Sequence, residues 1–89
     1  MISHLTNDFV KLFRQLPSRI QTQARKTYQL WKQHPYHASL DFKRVSDRQP
    51  VYSVRVEIGW RVVGIKKDKQ IIWFWIGTHA EYDKLIARL

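Results

Sequence analysis

Arg55, Arg61 and His79 are the side chains whose types and spacing could do chemistry in this chain. An imidazole exchanges protons at about pH 6.5, so it can act as acid or base near neutrality. Guanidinium groups clamp phosphate oxygens with forked donors. Such a set suits cleavage of RNA at phosphate. A base takes the proton of the attacking 2′-hydroxyl, an acid protonates the leaving 5′-oxygen, and cations hold the charge that grows on the phosphoryl oxygens. No metal ion or other cofactor is required. Acid or base help from His79 is worth roughly 100- to 10,000-fold in rate. Tyr82, three residues on and on the same helical face, could orient the substrate or hydrogen-bond the phosphate.

Each of these residues also has a structural reading. A histidine at a strand end often caps a helix or meets a backbone carbonyl, and Tyr82 heads an apolar stripe that could be core. Asp83, four residues after His79, could pair with it as a structural contact or as an orienting carboxylate. His34, His37 and His79 make a poor metal site, because HPYH lacks helical i, i+4 spacing and no cysteine or carboxylate completes it. Trp60, Trp73 and Trp75 could stack bases, yet Trp73 and Trp75 alternate with Ile71 on one strand face and read as core. Gly59, Gly64 and Gly77 form no phosphate-binding fingerprint. No Ser, His and Asp arrangement suggests a hydrolase triad.

The elements that must hold these residues follow from periodicity. Phe9, Leu12, Phe13 and Leu16 give a helical face, with Thr6, Asn7 or Asp8 available as cap and Pro17 as terminator. Ser18 to Gln21 has the form of a capping box and opens a second helix with Ile20, Ala24, Tyr28 and Trp31 on one face. His34 to Ser39 reads as loop, since Pro35 disfavours helix for the residue before it. Leu40 to Val45 reads as a first strand and Val51 to Ile58 as a second, in which Ser53 and Arg55 face away from Val54 and Val56. Trp60 to Lys66 and Gln70 to Ile76 follow as a meander. Ile71 to Ile76, apolar on both faces, reads as the central strand, covered on both sides. Tyr82, Leu85, Ile86 and Leu89 then return to helical spacing. Lys43, Arg44, Ser53 and Lys66 are further candidates for contact with RNA.

The expected fold is a single α+β domain over residues 1–89. An amino-terminal helical hairpin packs on one face of a twisted antiparallel sheet of about four strands, and a short helix follows. The chain has 89 residues, no cysteine, and 16 Lys and Arg against 7 Asp and Glu, for a net charge of +9. That charge points to a polyanionic partner, with nucleic acid foremost. The absence of cysteine excludes disulfides, thiolate metal sites and thiol nucleophiles. The longest apolar run is far too short for a bilayer, which takes about 20 residues, and no leader-like segment stands at the start. A soluble cytosolic protein is expected, with no membrane partner.

With these residues in view, the chain resembles the RelE/ParE superfamily of toxins from type II toxin–antitoxin pairs. The carriers are LPSRIQ at Leu16 to Gln21, HPYHASLDFKRV at His34 to Val45, YSVRVEIGWRVVG at Tyr52 to Gly64 and WFWIGTHAEYDKL at Trp73 to Leu85. The resemblance implies a helical hairpin on an antiparallel sheet with a basic groove on the opposite face. It also implies an endoribonuclease acting on messenger RNA, on the ribosome or off it, and a cognate antitoxin lying across the groove. Matched strand to strand, the family's functional positions fall on Arg55, Arg61, His79 and Tyr82, while Ser53 stands where some ribonuclease members place a lysine. Members usually begin with a strand beside the sheet, but Met1 to Leu5 is short and weakly patterned. A gyrase-directed toxin and a non-catalytic RNA-binding domain stay open as alternatives, as does a homodimer.

Overall fold

The computed structural model describes residues 1–89. Its elements run β1 (Ile2–Leu5), α1 (Asn7–Arg14), α2 (Ser18–Gln33), a 3-10 turn (Ala38–Leu40), β2 (Lys43–Arg44), β3 (Val51–Glu57), β4 (Trp60–Lys67), β5 (Gln70–Thr78) and α3 (His79–Ala87). The strands form one five-stranded sheet in the order β1-β5-β4-β3-β2. No helix is long and apolar enough to cross a membrane.

Two features of the sheet depart from the expected four-stranded antiparallel meander. Ile2–Leu5 adds a fifth strand, parallel to β5, with His4 beside Ile72. Its pattern is weak because it is an edge strand whose Ile2 and Leu5 remain exposed. Leu40 to Val45 is also not one strand. Asp41 takes a left-handed backbone with φ of 46°, a conformation that breaks an extended run, so only Lys43–Arg44 pairs with β3. Ile71 to Ile76 lies inside the sheet, between β1 and β4, but β4 is the middle strand.

Helix α1 starts where Thr6 accepts a hydrogen bond from the Phe9 backbone N–H, satisfying one of the unpaired donors of the first turn. The capping box expected at Ser18 does not form. Pro17 occupies the cap position with no side-chain bond, and the Gln21 amide instead donates to the carbonyls of Arg14 and Leu16. That bond ties the second helix to the end of the first. The hairpin buries Phe9, Ile20, Ala24 and Trp31, and the core on this side adds Phe42, Val54, Val56, Ile71, Trp73 and Ile76. Trp31 meets Trp73 edge to face at 5.1 Å, a geometry in which ring edge and ring face attract.

The opposite face of the sheet carries a second cluster, and helix α3 is what covers it. Tyr82 packs with Val51 and Val63, flanked by Phe74, Trp75, Leu85, Ile86 and Leu89. Trp75 belongs to this side and not with Trp73. Trp73 pairs with Gly64 while Trp75 pairs with Val63, so Phe74 is an extra residue, a bulge that reverses the alternation. Apolar residues on both faces of β5 thus reflect one helical layer on each side.

Candidate active site

Arg55 and Arg61 are cross-strand partners on the face away from the α1–α2 hairpin. Like charges placed directly opposite destabilise a sheet, and neither guanidinium has a carboxylate partner. Arg55 Nε donates to the Ser39 carbonyl at 3.2 Å. Arg61 Nη1 donates to the carbonyls of Glu57, Ile58 and Trp60 at the β3–β4 turn, at 2.8, 3.1 and 2.9 Å. The carboxylate that could have neutralised Arg61, that of Glu57, is taken by a two-pronged ion pair with Arg19 at the start of α2. The result is a pair of oriented, uncompensated cations. Guanidinium donors without a carboxylate partner are of the kind that bind anionic oxygens.

His79 reaches the same end of the sheet as the first residue of α3. Thr78 caps the helix by accepting from the Glu81 N–H, and the His79 N–H donates to the Gly59 carbonyl at 2.8 Å. These bonds dock the helix start on the β3–β4 turn beside Arg61. The imidazole Nδ1 lies 3.2 Å from Asp83 Oδ2. A neutral ring with its proton on Nδ1 would direct that proton toward the carboxylate and leave a lone pair on Nε2. Nε2 has no partner within the chain, and the side chain is 45% exposed. A ring nitrogen without a partner can accept a proton.

Tyr82 takes a different place from the direct substrate contact considered above. It is buried, and its hydroxyl donates to Ser53 Oγ at 3.0 Å. Its ring stands edge-on to His79 at 5.8 Å between centroids. Tyr82 is thus a packing neighbour of the imidazole. Ser53, at 2% exposure, is sealed under α3 and is corrected from an RNA contact to the partner of Tyr82.

Of the other candidate RNA contacts, Lys43 shares the site face, since it pairs with Ser53 across the β2–β3 ladder. Its ammonium meets Asp41 at 3.1 Å. Arg44 and Lys66 point to the other face, where Lys66 lies over the ring of Tyr52, itself packed against the hairpin-side core. Strand alternation removes both from the site. Trp73 and Trp60 likewise serve the hairpin-side core, and no three His, Asp or Glu side chains gather as metal ligands.

One neighbour was not drawn into the site by spacing. The His37–Ser39 loop meets Arg55 through the Ser39 carbonyl, and His37 Nδ1 lies 2.8 Å from Ser39 Oγ and 3.2 Å from Ser39 N. The only sequence signal was the HPYH run, whose distance from Arg55 along the chain hides this contact.

Comparison with known proteins agrees with this architecture. No curated protein sequence matches the chain significantly. Among solved structures, YafQ from E. coli superposes with a TM-score of 0.71 at 18% identity, covering 90% of this chain and 94% of YafQ. The toxin of the RelB–RelE antitoxin–toxin complex from Methanococcus jannaschii gives 0.73 at 14% identity, covering 92% and 96%. A YoeB/ParE toxin from Agrobacterium tumefaciens gives 0.68 at 13%, covering 89% and 99%. At these identities the likeness is one of fold. The family model of the ParE-like toxin domain matches residues 18–84, from the start of α2 to the helix that carries His79, and the chain belongs to that family, within the RelE/ParE superfamily of toxins.

Proposed function

We propose that this toxin domain is an endoribonuclease that cleaves messenger RNA and is held in check by a cognate antitoxin. The observation that carries the reading is the uncompensated Arg55–Arg61 pair beside an imidazole with a free Nε2. A binding surface alone could be built from lysines. A base fixed by Asp83 next to two phosphate-binding forks is what transfer at phosphorus asks for.

The mechanism follows from the site. Arg55 and Arg61 hold the non-bridging oxygens of the scissile phosphate and stabilise the charge they gain. His79 Nε2 accepts the proton of the 2′-hydroxyl as its oxygen bonds to phosphorus, while the bond from phosphorus to the 5′-oxygen breaks and that oxygen takes a proton from solvent. Tyr82 and Asp83 keep the ring in place. Structures of related toxins in complex with the antitoxins RelB and DinJ support an antitoxin partner here, and a partner rich in Asp and Glu would match the net charge of +9.

Induced expression of the wild type and of His79→Ala, with transcript ends and DNA breaks mapped in both, tests the reading. New transcript ends that vanish in His79→Ala are expected. Growth arrest with intact transcripts and broken DNA would instead identify a gyrase-directed toxin.

A further inference from the structure

We infer that Arg19 is a positioning residue for the site: by holding the Glu57 carboxylate at the start of α2, it keeps Arg61 free for phosphate. The inference rests on the ribonuclease reading above. Arg19 itself touches no part of the site and acts through Glu57.

Glu57 is the acid placed to silence Arg61. Arg61 Nη1 donates to the Glu57 carbonyl at 2.8 Å. A carbonyl oxygen lies about 2.4 Å from the Cα of its own residue, so that nitrogen stands within roughly 5 Å of Glu57 Cα. Four bonds run from this Cα to the carboxylate oxygens, enough to span the gap. The ion pairs of the chain are Arg19 with Glu57, Lys43 with Asp41 and His79 with Asp83, and none includes Arg61.

The local fold turns Glu57 the other way. Arg55 pairs with Arg61 and Glu57 with Trp60, so Val56 is an extra residue in β3. Trp60 packs on the hairpin-side core, and the Glu57 carboxylate meets α2 on that side. Arg19 Nη1 and Nη2 donate to Glu57 Oε2 and Oε1 at 2.9 and 3.2 Å. The fork engages both oxygens at once, which a lysine could not do.

Stability is a weak reason for this arrangement. The Arg19 side chain is 72% exposed, and exposed pairs add little to folding. Arg19 also sits in the first turn of α2, which holds no acidic residue and where the helix dipole disfavours a cation. The stronger consequence is electrostatic: with Glu57 engaged, the charge on Arg61 remains available to the substrate.

The test measures single-turnover cleavage by the purified protein on ribosomes programmed with an RNA cut at one mapped position. Arg19→Ala should slow cleavage by about 10- to 100-fold, less than loss of Arg61 itself, because Glu57 then shares Arg61 with the phosphate. Arg19→Lys, which keeps the charge but not the fork, should fall between Arg19→Ala and the wild type. Adding Glu57→Gln to Arg19→Ala should restore the rate to within about threefold of wild type. Adding Asp47→Asn, on the exposed β2–β3 turn, restores the same net charge but should leave the rate low. A crystal structure of Arg19→Ala should show the Glu57 carboxylate within hydrogen-bond distance of Arg61. Wild-type cleavage by Arg19→Ala, equal rescue by Asp47→Asn, or a Glu57 that stays away from Arg61 in that crystal structure would each overturn the positioning role. A wild-type protein that leaves the RNA whole would instead overturn the ribonuclease reading on which that role rests.

Discussion

Replacing Tyr82 by Phe separates a structural tyrosine from a chemical one. The hydroxyl donates to Ser53 Oγ at 3.0 Å, and the two residues are 8% and 2% exposed. The substitution keeps the ring, and hence its contact with His79, but strands a buried serine hydroxyl without a partner. Loss of such a hydrogen bond costs about 0.5–1.5 kcal/mol, and the unsatisfied partner raises this to about 1–3 kcal/mol. In a domain of this size each kcal/mol moves the melting temperature by roughly 4–8 °C. Calorimetry should therefore show Tyr82→Phe melting roughly 5–15 °C below the wild type. Ser53→Ala combined with Tyr82→Phe removes both partners and should recover part of that loss, with a coupling of about 1 kcal/mol across the double-mutant cycle. Below the melting range, RNA cleavage should stay within about threefold of wild type, because the hydroxyl faces Ser53 and not the cleft. An unchanged melting temperature with cleavage down by about 100-fold would refute this reasoning and return Tyr82 to the chemistry.

Arg55→Gln and Arg61→Gln should each cut the cleavage rate by about 100- to 1,000-fold, yet change stability by no more than about 1 kcal/mol in urea titrations, since relief of the opposed charges offsets lost carbonyl bonds. Retained cleavage in both variants would remove the phosphate clamp. Asp83→Asn, at an exposed pair, should shift stability by less than about 0.5 kcal/mol and slow cleavage by no more than about tenfold, because the amide oxygen still accepts from Nδ1. A complete loss of rate there would make the carboxylate charge essential. Gly64→Ala should destabilise by about 1–3 kcal/mol in the same titrations, as its new methyl would sit 2.6 Å from Trp73 Cε3 and 2.9 Å from the Ile72 carbonyl. Wild-type stability would mean that the bulge in β5 gives way freely.

Much of the fold could be read from periodicity. The apolar faces of Phe9 to Leu16 and Ile20 to Trp31 mark the two helices because burial on one side imposes a 3.6-residue repeat. Alternation along Val51 to Glu57 sends Arg55 and Val54 to opposite faces for the same kind of reason. Elements whose formation depends on a partner were less legible. Strand β1 gains its hydrogen bonds only from β5, and Asp41 breaks the next strand through a backbone conformation that its residue type tolerates but does not demand. At Phe74 a bulge reversed the faces, so Trp75 could not be assigned by counting from Trp73.

The site divides along the same line. By itself the sequence determined the candidate side chains: two arginines on neighbouring strands, an imidazole at a strand-to-helix junction with a carboxylate one turn on, and a strongly basic chain without thiols. Those are properties of residue type and short-range spacing. Only the tertiary structure decided who meets whom. It sealed Tyr82 and Ser53 together under α3, turned Arg44 and Lys66 to the far face, withdrew Glu57 to Arg19, and brought the His37–Ser39 loop to Arg55. Each depends on contacts between residues distant in the chain, which register, twist and packing create and local pattern does not encode.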